Sequence, residues 1–354
     1  MKLKNTLILA TAAVLCFSTL TGCKGGDNQS TAESTQNTEK PAYDAAVAAI
    51  NGDSITAGEL GYYICNAATL RAYRIDQKPD LASFDWKQKT ESGQTLRDAV
   101  MEDALNTVLT EQIMIQKAAE KGVTYTEDEE NQNLKSIDDF VTKNGEESFL
   151  LNANALGISS VDDYKVLAKH VFAAQKAEDA ISANFQDYTV SEDVLKAHKS
   201  DTKVTAKHIL IKNDSEKFSD PKATIEEVLK RVKAGEDFDA LMKEYNEDPG
   251  EDESGYTFGR GEMVEAFENA AFDLDCGEVS DIVETEYGYH IIKRVAGLAE
   301  LQNYWLENAS IEKFDDVINK ISVADVMKDA AKAQSDLQAQ NSKTATNNSN
   351  AGGE

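Results

Sequence analysis

The stretch VTAKHILIK, residues 204–212, sets a histidine in the middle of a β-type apolar run. A second run does the same: YGYHIIKRV, residues 287–295. The chain has four histidines, His170, His198, His208 and His290, so two of them sit in nearly matching settings. A histidine inside an apolar strand carries two ring nitrogens that need partners. Two such residues either solve a packing problem or do chemistry together. Between the two runs the pattern alternates. Ile225, Val228, Leu229 and Val232 make one helical face that Gly235 ends. Phe238 to Tyr245 reads as a short helix closed by Asp248-Pro249-Gly250, YTF (256–258) as a strand, and Gly259-Arg260-Gly261 as a turn. Met263 to Phe272 reads as a helix, and VSDIVET and GYHIIKRV as the last two strands. Residues 203–297 are therefore expected to form an α+β domain.

On either side the period is helical. In 43–200, Val47 to Ile50 is a short strand, Asn51-Gly52 a turn, and Thr56-x-x-Glu59 a capping box. Leu96, Val100, Ala104, Leu105, Val108, Ile113 and Ile115 share one helix pattern that ends at Gly122. Thr126-x-x-Glu129 caps another helix, stopped by Asn144-Gly145, and a longer one runs from Val161 towards Phe185. His170 and His198 fall on charged helices and read as surface or half-buried residues. Residues 300–336 return to helix with Leu301, Trp305, Leu306, Phe314, Val317 and Ile321, and 337–354 has the composition of a disordered tail. A solute-binding protein would show strands alternating with helices in 43–200, and that pattern is missing.

The first 22 residues have the layout of a secretory signal: Lys2 and Lys4, an apolar run from Leu7 to Leu20, then small residues. LTGC (20–23) resembles the bacterial lipobox, which implies cleavage before Cys23, acylation of its thiol, and a lipid-anchored protein on the outer face of the cell membrane. Residues 23–42 then read as a flexible tether, polar and poor in anything to bury. Cys65 and Cys276 are left in the two expected domains, where a bridge between them is not expected. The chain has no CxxC, no Cys/His metal spacing, no phosphate loop and no Gly-x-Ser-x-Gly elbow. Its net charge of −27 excludes nucleic-acid binding through phosphates.

The spaced segments AKHILIK, FDALMKEYNEDPG, GYTFGRGEMVEAFENAAF and GEVSDIVETEYGYHIIKRV, in that order, resemble a parvulin-type peptidyl-prolyl isomerase domain over 203–297. The wider layout resembles the extracytoplasmic foldase lipoproteins of the PrsA/SurA type. It comprises a lipobox, a lobe opening with VAAINGDSIT, an inserted domain and a returning helical segment. The resemblance implies an α+β fold in which a small antiparallel sheet with surrounding helices is inserted in a mainly helical chaperone lobe (43–200 with 300–336). It implies an isomerase and foldase for exported proteins, free of metal and cofactor. The partners implied are unfolded or partly folded chains with Xaa-Pro bonds and the bilayer held by Cys23; a homodimer stays open.

The chemistry asked of such a domain is modest. Rotation about Xaa-Pro is opposed by a barrier of about 18–20 kcal/mol from amide resonance, and the twisted transition state has lost that resonance. A catalyst needs an apolar slot for the ring and polar groups that favour the twisted form. By resemblance, Met263 and Phe267, four apart and expected on one helix face, line the slot with Phe258 beside them. His208 and His290 lie on adjacent strands, close enough to hydrogen-bond each other in a coupled tautomer. Asp248 falls where the family carries Cys or Asp near the amide oxygen. The sequence departs from the family between Asp248 and Arg260, where the usual GGDLG is missing, which leaves the slot rim open and sets Tyr256 in place of a smaller residue. Tyr287 stands where many parvulins carry Ser or Thr, or an aromatic in this branch. The loop KNDSEKFSD has no basic cluster, which argues against phosphorylated substrates. The rival reading is a holdase chaperone whose inactive isomerase domain serves only for docking.

Overall fold

A computed structural model describes residues 40–154, 158–201, 203–251 and 254–350. The expected leader, Cys23 and the tether up to residue 39 lie outside the described residues. The chain divides into two compact units, one built from the segments up to Ala180 and from Ser310 onward, the other from Ile181–Ala309.

The first unit opens with a hairpin. Strand β1 (Ala46–Ile50) turns through Asn51 and Gly52, both at positive φ, into β2 (Asp53–Thr56). That turn suits a two-residue hairpin loop, since paired positive φ values match the strand twist. Thr56 and Glu59 form the expected capping box at the start of α1 (Ala57–Ile75). Helices α2 (Leu96–Glu120), α3 (Glu127–Asn144), α4 (Glu146–Asn154) and α5 (Val161–Ala183) follow. The Thr126/Glu129 box opens α3 and Gly145 ends it at positive φ. Helices α1 and α2 bury Leu60, Ile64, Ala68, Val100, Ala104 and Val108. These are the positions that the 3.6-residue period singles out.

The second unit contains α6 (Phe185–Tyr188), α7 (Glu192–Ala197), β3 (Lys203–Lys212), α8 (Pro221–Lys233), α9 (Phe238–Tyr245), β4 (Tyr256–Gly259), α10 (Glu265–Asp273), β5 (Val283–Glu284), β6 (Gly288–Val295) and α11 (Leu298–Glu307). The four strands make one antiparallel sheet in the order β4-β3-β6-β5. Both faces are covered, which is why β3 and β6 read as nearly continuous apolar runs. On one face Ile209, Ile211 and Ile291 pack with Ile225, Val228, Phe238, Leu241 and Met242 of α8 and α9. On the other, Val204, Ala206 and Ile292 pack with Phe258, Phe267, Ala271 and Phe272 from β4 and α10. Residue alternation places His208 and His290 on that second face. At the start of β6, Gly288 lies so close to β3 that an added Cβ would sit 2.2 Å from the Ile211 carbonyl oxygen.

Three expectations need correction here. The helix carrying Phe267 starts at Glu265, with extended Val264 as its cap, so Met263 precedes it and does not share its face by helical spacing. The strand expected at 279–285 shrinks to β5, with Val279 making only an isolated bridge to Lys293. The unit boundaries also fall at 180/181 and 309/310, not at 200 and 300. The physical reason is packing: α7 contacts α11, and α11 contacts β3.

The chain then returns to the first unit. Strand β7 (Ile311–Lys313) pairs with β1, giving the order β2-β1-β7, and α12 (Asp315–Ile318) and α13 (Val323–Asn350) complete the unit. The small strands β2 and β7 were not expected. Helix α13 continues past residue 336, where the composition suggests disorder; its AAKAQSDLQAQ segment is rich in good helix formers. Among the described residues, no helix is long and apolar enough to cross a membrane.

Candidate active site

The two strand histidines come together, though not as direct opposites. Register pairs His208 with Ile292 and His290 with Leu210, so the two rings are diagonal neighbours. Their centroids lie 5.3 Å apart with planes 52° apart. Both are buried, at 3% and 4% exposure. They do not hydrogen-bond each other, contrary to expectation: both ring nitrogens of His208 and Nδ1 of His290 are buried without a hydrogen-bond partner. The offset register keeps the rings apart, and the Nε2 of His290 is taken by the Thr285 hydroxyl at 2.8 Å. Burial pushes both imidazoles down to about 4, and for His290 the neighbouring His208 adds to the effect. At neutral pH both rings are uncharged.

Phe267 forms the apolar side. Its ring meets His208 edge-on at 5.2 Å and His290 at 5.4 Å. It is 4% exposed and touches Phe258, which in turn touches Phe272. Phe258 is therefore core, supporting Phe267 from behind. Met263 is half-buried and packs on the cluster that contains Phe267, so loop geometry brings it there without a shared helix. Tyr256 stacks on His208 at 5.9 Å and donates its hydroxyl to Asp248 Oδ2 at 3.1 Å. Tyr287 stands 58% exposed on the β5–β6 turn, where its N–H donates to Thr285 Oγ1.

Asp248 sits 3.4 Å from His208 Nε2 through Oδ2, and its Oδ1 accepts the Gly250 N–H. A second carboxyl, not anticipated from the sequence, lies on the other side of the ring. Glu251 Oε2 is 3.2 Å from His208 Nδ1, and the Glu251 side chain is fully buried. Its Oε1 accepts the His208 backbone N–H at 2.8 Å, and its Oε2 accepts from the Asn246 side-chain amide at 2.8 Å. Burial pushes Glu251 up to about 7, against the pull of those hydrogen bonds.

The loop 246–251 has a structural role as well. Strand β4 covers β3 only as far as Ala206. Beyond it, side chains of the loop accept the N–H groups of β3 that β4 leaves open. Glu251 serves His208, Asn246 serves Leu210 and Glu247 serves Lys212. This side-chain edging fixes Asp248 and Glu251 on either side of His208. Thr285, Asn246 and Glu251 were missed in the sequence because each looks like an ordinary loop residue. Glu251 in particular hides within the acidic run EDPGEDE, whose usual reading is a solvated turn.

Residues 189–296 match the PPIC-type PPIASE domain family. The chain is 28% identical over 277 residues to the foldase protein PrsA of Caldanaerobacter subterraneus, covering 77% of this chain and 76% of that protein. It is 32% identical over 233 residues to foldase protein PrsA 1 of Listeria monocytogenes, covering 63% of this chain and 72% of that one. Among solved structures, the peptidylprolyl isomerase PrsA of Bacillus cereus is matched at 27% identity and a TM-score of 0.26, over 72% of this chain and 92% of that one.

Proposed function

The chain belongs to the family of the PrsA foldases, and from that footing we propose that its second unit isomerises Xaa-Pro bonds in exported chains that the first unit holds. The observation that carries this reading is the wall of neutral histidines against Phe267 with Asp248 beside them. Phe267 and Met263 give a proline ring an apolar surface. Packing the ring there strips water from the amide and disfavours its charge-separated planar form. The Asp248 carboxylate, placed near the amide oxygen, repels the negative charge that resonance puts on that oxygen. Twisting removes the charge, so the anion costs the ground state more than the transition state. The rings of His208 and His290, uncharged at neutral pH, keep the wall from cancelling that field. No bond to the substrate is made or broken in this scheme.

A proline-isomerisation assay on a short peptide tests the proposal. The wild-type chain accelerates the cis-to-trans step, and Asp248→Ala slows it while leaving the fold intact. A wild-type chain with no acceleration favours the holdase reading, with the second unit serving only for docking. The membrane attachment belongs to the same proposal: acylated Cys23 tethers the protein outside the cell membrane. Cys23→Ala should leave a folded protein in the soluble fraction; retention of that variant on membranes after signal removal sinks the anchor.

A further inference from the structure

The mechanism above uses Asp248 on one side of His208 and leaves the buried Glu251 on the other without a task. A carboxyl with a fully buried side chain is costly unless paired. Glu251 is only partly paired, since its two hydrogen-bond donors are uncharged: the His208 backbone N–H and the Asn246 amide. Its Oε2 lies 3.2 Å from His208 Nδ1, while Asp248 Oδ2 lies 3.4 Å from Nε2. Neither contact has hydrogen-bond alignment, and both nitrogens are buried. A neutral imidazole carries one proton and can offer it to one side only. The ring is thus held between two carboxyls without being committed to either.

We infer that Glu251 is a positioning residue whose protonation selects the tautomer of His208. This inference rests on the isomerase reading of the same site. With Glu251 protonated, its O–H faces Nδ1, so the ring proton sits on Nε2 and shields Asp248. When Glu251 loses its proton to solvent, Nδ1 faces a carboxylate. The ring's single proton then moves to Nδ1 by exchange with water and leaves a bare Nε2 towards Asp248. The ring keeps one proton throughout, and the site loses one in total. Among the described residues, the charged and titratable groups around Glu251 agree with a switch in the neutral range. Lys207 on β3 lowers its affinity for a proton but is itself paired with Asp239. Asp248 on its own loop raises it. Tyr256 from β4 donates to Asp248, and His290 from β6, uncharged at neutral pH, stands beyond His208. Glu251 itself is displaced to about 7.

The test reads the tautomer directly. Nitrogen-15 resonances of the His208 ring are followed in the full-length protein across about pH 5–9, together with the side-chain carboxyl carbon of Glu251. The expected result is an exchange of Nδ1 and Nε2 character with one midpoint shared by both residues, and no such exchange in Glu251→Gln. Peptide kcat/KM should rise through the same midpoint in the wild type, as Asp248 loses its shield, and stay level there in Glu251→Gln. A His208 ring whose nitrogens keep their character, midpoints that differ, or an exchange that persists in Glu251→Gln would each overturn the inference. Should Glu251→Gln fail to fold, the wild-type midpoints alone decide. A chain inactive at every pH defeats the isomerase reading, whereas the resonance titration still judges the role of Glu251.

Discussion

Phe267 serves two ends at once, since the ring that faces the histidines is also part of the hydrophobic core on that side of the sheet. Phe267→Ala should therefore lower isomerase activity and also cost about 3–5 kcal/mol of stability, the usual range for emptying a buried aromatic site. Met263 is half-buried and lies outside the helix, so Met263→Ala should cost well under the ~2–5 kcal/mol of a fully buried methionine. Denaturant unfolding of the two variants, run beside the peptide assay, separates a slot residue from a core residue. Equal stability losses would show that Met263 is core. The titrating groups make a second prediction. Both histidines bind a proton less tightly folded, at about 4, than their ordinary value of 6.5. The unfolded chain then holds more protons below pH 6.5, and stability falls as the pH drops from there through 4. Glu251 has the opposite sign, raised from 4.5 to about 7, so its contribution is full below 4.5 and fades as pH rises through 7. Unfolding midpoints against pH should show a weaker acid limb in His290→Asn. In Glu251→Gln, stability relative to wild type should improve steadily from pH 4.5 to 7. An acid limb unchanged in His290→Asn would mean the ring does not titrate as placed.

At the scale of elements, β3 is paired by β4 along its first part and by loop side chains along the rest. Asn246 is central to that edging, because its Oδ1 accepts both the Leu210 and the Asp248 N–H groups. Asn246→Ala leaves buried donors unsatisfied at about 1–3 kcal/mol each and frees Asp248. We expect lower stability together with slower isomerisation, measured by denaturation and the peptide assay; unchanged hydrogen exchange at Leu210 in the variant would contradict the edging. This arrangement also explains what could be read in the sequence. Strands β3 and β6 were legible because their short apolar runs are rich in β-branched and aromatic residues, which favour a buried strand over a helix, and both capping boxes announced their helices. The aromatic and histidine positions followed from the resemblance. Glu251, Asn246 and Thr285 did not, because a polar loop residue is defined by the backbone group it meets, and sequence spacing carries no record of that meeting. Strand β7 stayed hidden for a similar reason: three residues have too little pattern, and only pairing with β1, far away along the chain, makes them a strand.

For the whole molecule, the boundaries of the second unit decide how it can be isolated. Arg294 on β6 is fully buried, as is Glu300 on α11, and the two meet at 2.9 Å. The same guanidinium holds the Ser200 and Leu274 carbonyl oxygens, and Glu300 also accepts the Gly297 N–H. A fragment cut at 203–297 would keep Arg294 and lose both Ser200 and Glu300. An uncompensated buried charge costs about 3–5 kcal/mol, so that fragment should unfold far more easily than 181–309. The longer fragment should isomerise a peptide but protect an aggregating client poorly, as the first unit is missing. Thermal melts of both fragments, with light scattering of a client, check this; equal melting temperatures would sink the argument.

The packing of α7 against α11 also has a mechanical meaning. The chain enters the second unit and leaves it through these neighbouring segments, where His198 Nδ1 meets Glu307 at 2.7 Å. A pull transmitted along the backbone therefore reaches the second unit at two adjacent points and peels α7 from α11 first. The ladder joining β3 to β6 would feel the load only after that clasp had opened. A half-folded chain pulling on the backbone would in this way open the clasp between α7 and α11 and leave the histidine wall of the sheet intact.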